Sequence, residues 1–139
     1  MKTSPETQLL RTAFDRSQAL LAILDGGFTF VHVNRAYAEY AHASVDDLIG
    51  RNHFDLYPDN TMEGAFRDVL ETNQPASASA QLVTVPRGQE TDATYWDWHL
   101  VPITDTDGAS ATGYLALTIH DVTEEVLLKR ELQYNYNTL

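Results

Sequence analysis

The chain has 139 residues, with 20 acidic against 9 basic side chains, a formal charge of −11, no cysteine and 43% apolar residues. That length suits one domain, and seven tyrosines, five phenylalanines and two tryptophans suffice for a packed core, which excludes low-complexity disorder. The charge argues against nucleic acid or an anionic membrane as partner, and the lack of cysteine removes disulfides, thiolate chemistry and iron–sulfur clusters. The N-terminus has no apolar leader core, and the longest apolar run, Ala19–Leu24, falls far short of the ~20 residues of a membrane span. A soluble cytoplasmic domain is expected.

Residues 5–18 carry Leu9, Leu10, Ala13 and Phe14 at helical spacing and predict an amphipathic helix, so residues 1–18 form an N-terminal element ahead of a core at 19–121. Ala19–Leu24 and Phe28–Val33 are β-favouring runs around Asp25-Gly26-Gly27, a hairpin signal because glycine permits positive φ. Asn34 can cap a helix through His42, and Ser44 a second, short helix that Gly50 stops. Asn60 or Thr61 can cap a third, whose buried face carries Met62, Phe66, Val69 and Leu70 and which ends at Asn73. Three strands follow, Ser77–Val85, Thr94–Ile103 and Thr112–His120, joined by turns at Pro86-Arg87-Gly88 and Asp105–Gly108. Asp121 can then cap a last helix over 122–139, in which Leu128, Leu132, Asn135 and Leu139 start a heptad-like seam. The order of helix, two strands, three helices, three strands and helix predicts an α+β domain, with helices over one face of a five-stranded antiparallel sheet.

Several segments, taken in this order, resemble the PAS domain, the sensory module of many signalling proteins. They are Ile23-Leu24-Asp25 leading to Phe30-Val31-His32-Val33-Asn34-Arg35-Ala36, then Val45-Asp46-Asp47-Leu48-Ile49-Gly50-Arg51, then Trp98-His99-Leu100-Val101-Pro102-Ile103 with Asp107-Gly108 and Gly113-Tyr114, and finally Asp121-Val122-Thr123-Glu124. The resemblance covers roughly residues 17–125. One departure is Ala41-His42-Ala43, where the family often has Gly-Tyr, which affects the local helix end. The resemblance implies the PAS fold and an output helix at the C-terminus.

Alternation assigns the strand faces. Trp96, Trp98, Leu100, Leu115, Leu117 and Ile119 form a purely apolar set and belong inside, joined by Gln81, Val83 and Val85. The resemblance places the family's pocket between this face and the helices. The candidate ligand-binding set is therefore Tyr37, His53, Tyr57, Phe66, Gln81, Val83, Trp96, Trp98, Leu117 and Ile119. Gln81 either meets a ligand or bonds a backbone carbonyl or water. The two indoles either form an aromatic cage or fill the core.

The cofactor is unknown, but adduct-forming flavin is excluded because the matching stretch, Asn52-His53-Phe54-Asp55-Leu56-Tyr57, contains no cysteine. Haem is disfavoured because Met62–Asn73 contains no histidine, which leaves His53 alone. On the outer face Tyr95, His99, Val101, Tyr114 and Thr118 form an apolar-leaning patch that needs a cover. Leu10 and Phe14 of the first helix could supply it, from the same chain or from a partner, so Leu10, Phe14, Tyr95, His99 and Tyr114 are the candidate interface of a homodimer. His99 and His120 face outward on adjacent strands without a third ligand, so no metal site is assigned. No phosphate loop or nucleophile elbow occurs, and no catalytic residue is assigned.

The expected function is a sensory PAS domain that binds a small ligand or partner. It would pass a change through Asp121, Thr123 and the last helix to an effector domain such as a histidine kinase. The alternative is a ligand-free dimerisation or protein-interaction module. A small α+β enzyme is a third reading, and would require a polar, titratable pocket lining.

Overall fold

The computed structural model describes residues 4–137. Helix α1 (Pro5–Arg16) begins where the Ser4 hydroxyl accepts the Thr7 N–H and where Pro5 fills the first turn, a position that needs no donor. It buries none of its residues. Strands β1 (Leu20–Leu24) and β2 (Phe30–Val33) pair antiparallel across a turn in which Asp25 Oδ1 accepts the N–H groups of Gly27 and Thr29. The positive φ expected of the glycine pair falls on Phe28 instead, at 65°. The left-handed backbone costs a side-chain-bearing residue roughly 1–2 kcal/mol. Burying the Phe28 ring against Phe54 and Phe66, at 5.5 and 5.7 Å, offsets that cost.

Helix α2 (Arg35–Ala41) starts at Asn34, which is completely buried. Its Oδ1 accepts the N–H groups of Tyr37 and Leu21, and its Nδ2 donates to the carbonyls of Phe14, Ser17 and Ala19. One side chain thus caps α2 and fixes the exit of α1 against β1. Replacing Asn34 with alanine is expected to cost about 2 kcal/mol, because it removes a cap and leaves enclosed backbone groups unpaired. Urea denaturation measures this, and a loss near zero would show that water replaces the hub freely.

His42, at φ 54°, supplies the left-handed end of α2. Helix α3 (Val45–Leu48) follows from the Ser44 cap, and Gly50 leaves it at φ 90°. A four-residue helix not foreseen from the sequence, α4 (His53–Leu56), comes next, capped by Asn52. Helix α5 (Asn60–Thr72) is capped by Asp59, not Asn60 or Thr61, through a 2.9 Å bond from the Met62 N–H.

Strands β3 (Ala76–Arg87), β4 (Glu90–Thr104) and β5 (Ala111–Asp121) complete an antiparallel sheet in the order β2-β1-β5-β4-β3. The turn expected at Pro86–Gly88 lies one step further on, since Pro86 and Arg87 still pair with Thr91 and Glu90. Proline is tolerated there because β3 is an edge strand. Helix α6 (Thr123–Asn137) leaves the sheet directly after β5. Val122 accepts its first backbone bond, so the cap position falls one residue after the expected Asp121, which holds the Thr123 N–H from just ahead of it. The seam on α6 leaves Leu128 and Leu132 exposed, and Leu139 lies outside the described residues.

The core fills the space between α2–α5 and one sheet face. Trp96, Trp98, Leu100, Leu115, Leu117, Ile119, Val83 and Val85 are all buried there, as the alternation requires. Among the described residues no helix is long and apolar enough to cross a membrane.

Candidate functional site

The segment 50–53 runs beside β2: the Gly50 N–H donates to Phe30 O, the Phe30 N–H to Arg51 O, and the His53 N–H to Phe28 O at 2.9 Å. Asn52 reinforces this by donating to Gly27 O at 2.7 Å while capping α4. The only direction left for the His53 side chain is inward. Its ring lies 4.6 Å from Phe54, 5.1 Å from Tyr57, 5.3 Å from Phe66, 5.9 Å from Phe30 and 6.5 Å from Trp96. Neither ring nitrogen has a hydrogen-bond partner, and burial pulls the imidazole down to about 3. His53 is therefore neutral at physiological pH and carries one free N–H and one free lone pair.

Tyr37 faces the same interior. Its hydroxyl has no partner within hydrogen-bond geometry, and burial, then the neighbouring Tyr57 hydroxyl, push it well above the usual phenol range. Edge-to-face contacts extend from Phe30–Tyr37 through Tyr57–Trp96 to Phe66–Trp98. Tyr37, His53, Tyr57, Phe66, Trp96 and Trp98 are each at most 2% exposed. Six of the ten candidate ligand residues therefore form one closed aromatic cluster, and Val83, Leu117 and Ile119 line the sheet beneath it.

Gln81 is the exception. It neither faces the interior alone nor bonds a backbone carbonyl: it accepts the Trp98 indole N–H at 2.8 Å and donates to Asp59 Oδ2 at 2.8 Å. This ties the inner sheet face to the cap of α5. The second indole is tied elsewhere. Trp96 Nε1 donates to the Tyr40 hydroxyl at 3.0 Å, and that hydroxyl donates to Asp121 Oδ2 at 2.6 Å. Asp121 Oδ1 holds both the N–H and the hydroxyl of Thr123, and the Thr123 hydroxyl accepts the Tyr95 N–H. The predicted transmission pair, Asp121 and Thr123, therefore joins β4, β5 and α6 at one point.

Sequence reasoning passed over Tyr40, Phe54 and Asp59. Tyr40 stands three positions from Tyr37 on α2, but its acceptor lies 81 residues away.

On the outer face, α1 stands over β1 and β2 rather than over β4 and β5. Leu10 and Phe14 border a crevice with Ile23 and His32, while His99, Val101 and Tyr114 stay exposed. Tyr95 is half-buried beneath Arg130 of α6, which donates to its hydroxyl at 2.8 Å and lies 5.0 Å from its ring centre. Among the described residues no three His, Asp or Glu side chains gather as metal ligands.

A family model described as the PAS fold matches residues 14–127. The chain belongs to the PAS family. Solved PAS structures repeat its architecture. An RNA-binding light-oxygen-voltage receptor aligns with 100% of the chain at a TM-score of 0.76 and 19% identity, and the chain spans 40% of that protein. The PAS domain of nitrogen regulation protein NR(II) from Vibrio parahaemolyticus aligns over 86% of this chain and 99% of its own, at a TM-score of 0.63 and 17% identity. A sensory box sensor histidine kinase from Vibrio cholerae aligns over 85% and 91%, at 0.57 and 19% identity. No curated protein matches the chain by sequence. In this PAS domain the aromatic cluster around His53 lies between the sheet and α2, α4 and α5.

Proposed function

We propose that this PAS domain is a sensor whose core admits a small, uncharged, planar molecule. The reading rests on His53, a fully buried imidazole with two unpartnered nitrogens inside a ring of aromatic side chains. An unpaired buried polar atom costs about 1–3 kcal/mol, and a ligand that offers an acceptor and a donor recovers it. Among the described residues, the buried polar side chains beside His53 are Asn34 and Thr94, each engaged elsewhere, and the tyrosine hydroxyls, all uncharged, so a charged ligand would meet no counter-ion there. Binding would favour one packing of helices on sheet, and the change would leave through α6 toward an effector such as a histidine kinase. The domain acts as a homodimer without catalytic activity of its own.

Thermal melting of the wild type and of His53→Leu with a panel of neutral heteroaromatic compounds tests this. A true ligand at 100 times its Kd adds about 2.7 kcal/mol to the wild type and much less to the variant. Equal shifts in both proteins, or none in either, would defeat the reading. The near-complete closure of the aromatic cluster favours a second reading, a ligand-free dimerisation module that uses the exposed outer patch around Val101 and Tyr114.

A further inference from the structure

The two core indoles are anchored to different elements. Trp98 reaches the start of α5 through Gln81 and Asp59, whereas Trp96 reaches the start of α6 through Tyr40. Tyr40 sits on α2, and its hydroxyl bonds the side chains of both Trp96 and Asp121, which face each other across β4 and β5. We propose that Tyr40 is a positioning residue through which the packing of Trp96 sets the start of α6. The hydroxyl has one proton to give and gives it to Asp121 while it accepts from the indole, so the two bonds polarise each other. Movement of the Trp96 ring within the core withdraws the indole N–H. The Tyr40–Asp121 bond then weakens, and with it the grip of Asp121 on Thr123.

The surroundings of Asp121 fit this role. Burial alone would raise its carboxyl, but the Thr123 hydroxyl, the Tyr40 hydroxyl, the Thr123 N–H and the Arg87 charge together hold it below the usual carboxylate value. Arg87 also lies 5.0 Å above the Tyr40 ring and keeps it in place beneath β3's end. Tyr40 itself is pushed up to about 12, by burial first and by donation to Asp121 second, so it stays a donor at all working pH values.

The inference takes its physiological meaning from the sensory reading, but its test needs no ligand. Amide exchange at Val126, Leu127 and Leu128 reports the first turns of α6. Trp96→Phe, which keeps a ring and removes the indole N–H, is expected to speed that exchange about tenfold, the equivalent of one charge-assisted bond. Tyr40→Phe is expected to speed it similarly, and Trp96→Phe added to Tyr40→Phe should speed it no further. Multiplying effects in the double variant, or no effect of Trp96→Phe with Tyr40 present, would overturn the relay. Tyr40→Phe alone supplies an independent reading should the tryptophan variant fold poorly. The carboxyl pKa of Asp121, followed by NMR, should rise, and an unchanged value overturns the proposal. A failed ligand screen would sink the sensory reading without touching these results, and additive exchange would sink the relay whether or not a ligand binds.

Discussion

Acidification from pH 7 to pH 4 is expected to cost the fold about 3 kcal/mol at His53 alone. The folded imidazole titrates near 3 because burial denies it solvent and its neighbours are aromatic rings. The unfolded one titrates near the ordinary value of ~6.5. The unfolded chain therefore binds the extra proton, and stability falls as pH falls. The contribution is fully present above the unfolded value and drains away between about 6.5 and 3, at about 1.4 kcal/mol per pH unit. Asp121, whose carboxyl is held low, acts in the same direction at lower pH. His53→Leu isolates the histidine, since the carboxylates are common to both proteins. Urea midpoints at pH 7 and pH 4 should show the wild type losing about 3 kcal/mol more than the variant. Leucine also removes two unpartnered polar atoms, so the variant is expected to be no less stable at pH 7. Equal acid losses in the two proteins would mean that the imidazole reaches water.

What the sequence disclosed, and what it hid, divides by the range of the interaction. Alternation along β4 and β5 placed Trp96, Trp98, Leu117 and Ile119 inside because period two is a local property of a strand. Asn34 and Ser44 were legible as caps because a cap bonds two or three residues ahead. The cap of α5 was missed by one or two residues because Asp59, Asn60 and Thr61 are three capping side chains in a row, and local chemistry does not rank them. Helix α4 was invisible: four residues show no periodicity, and what turns His53 inward is pairing of 50–53 with β2. The positive φ at Phe28 was equally hidden, because it follows from where the ring is buried and not from the glycines beside it. Within the site, ring identity was readable from the strands and the long helix. The partners of Gln81 and Tyr40 were not, since Asp59 and Asp121 come together with them only in the folded chain.

Truncating Trp98 is expected to be the most damaging single change in the core. Its ring is nearly fully buried and meets Phe66 edge to face at 5.3 Å, and its indole N–H is held by Gln81. Trp98→Ala should cost about 3–5 kcal/mol, from lost transfer energy and the cavity left behind. Trp98→Phe separates packing from polarity. It keeps most of the ring contact, loses the bond to Gln81, and should cost about 1–2 kcal/mol less than the alanine variant. Urea denaturation of the two variants gives both numbers. Because Gln81 also holds Asp59, the alanine variant should speed amide exchange at Met62, where Asp59 caps α5. An unchanged melt for Trp98→Ala would place the indole in solvent, where the alternation along β4 does not put it. A lost melt without any change at Met62 would mean that the ring packs as described while the Gln81–Asp59 bridge carries no strain between sheet and helix.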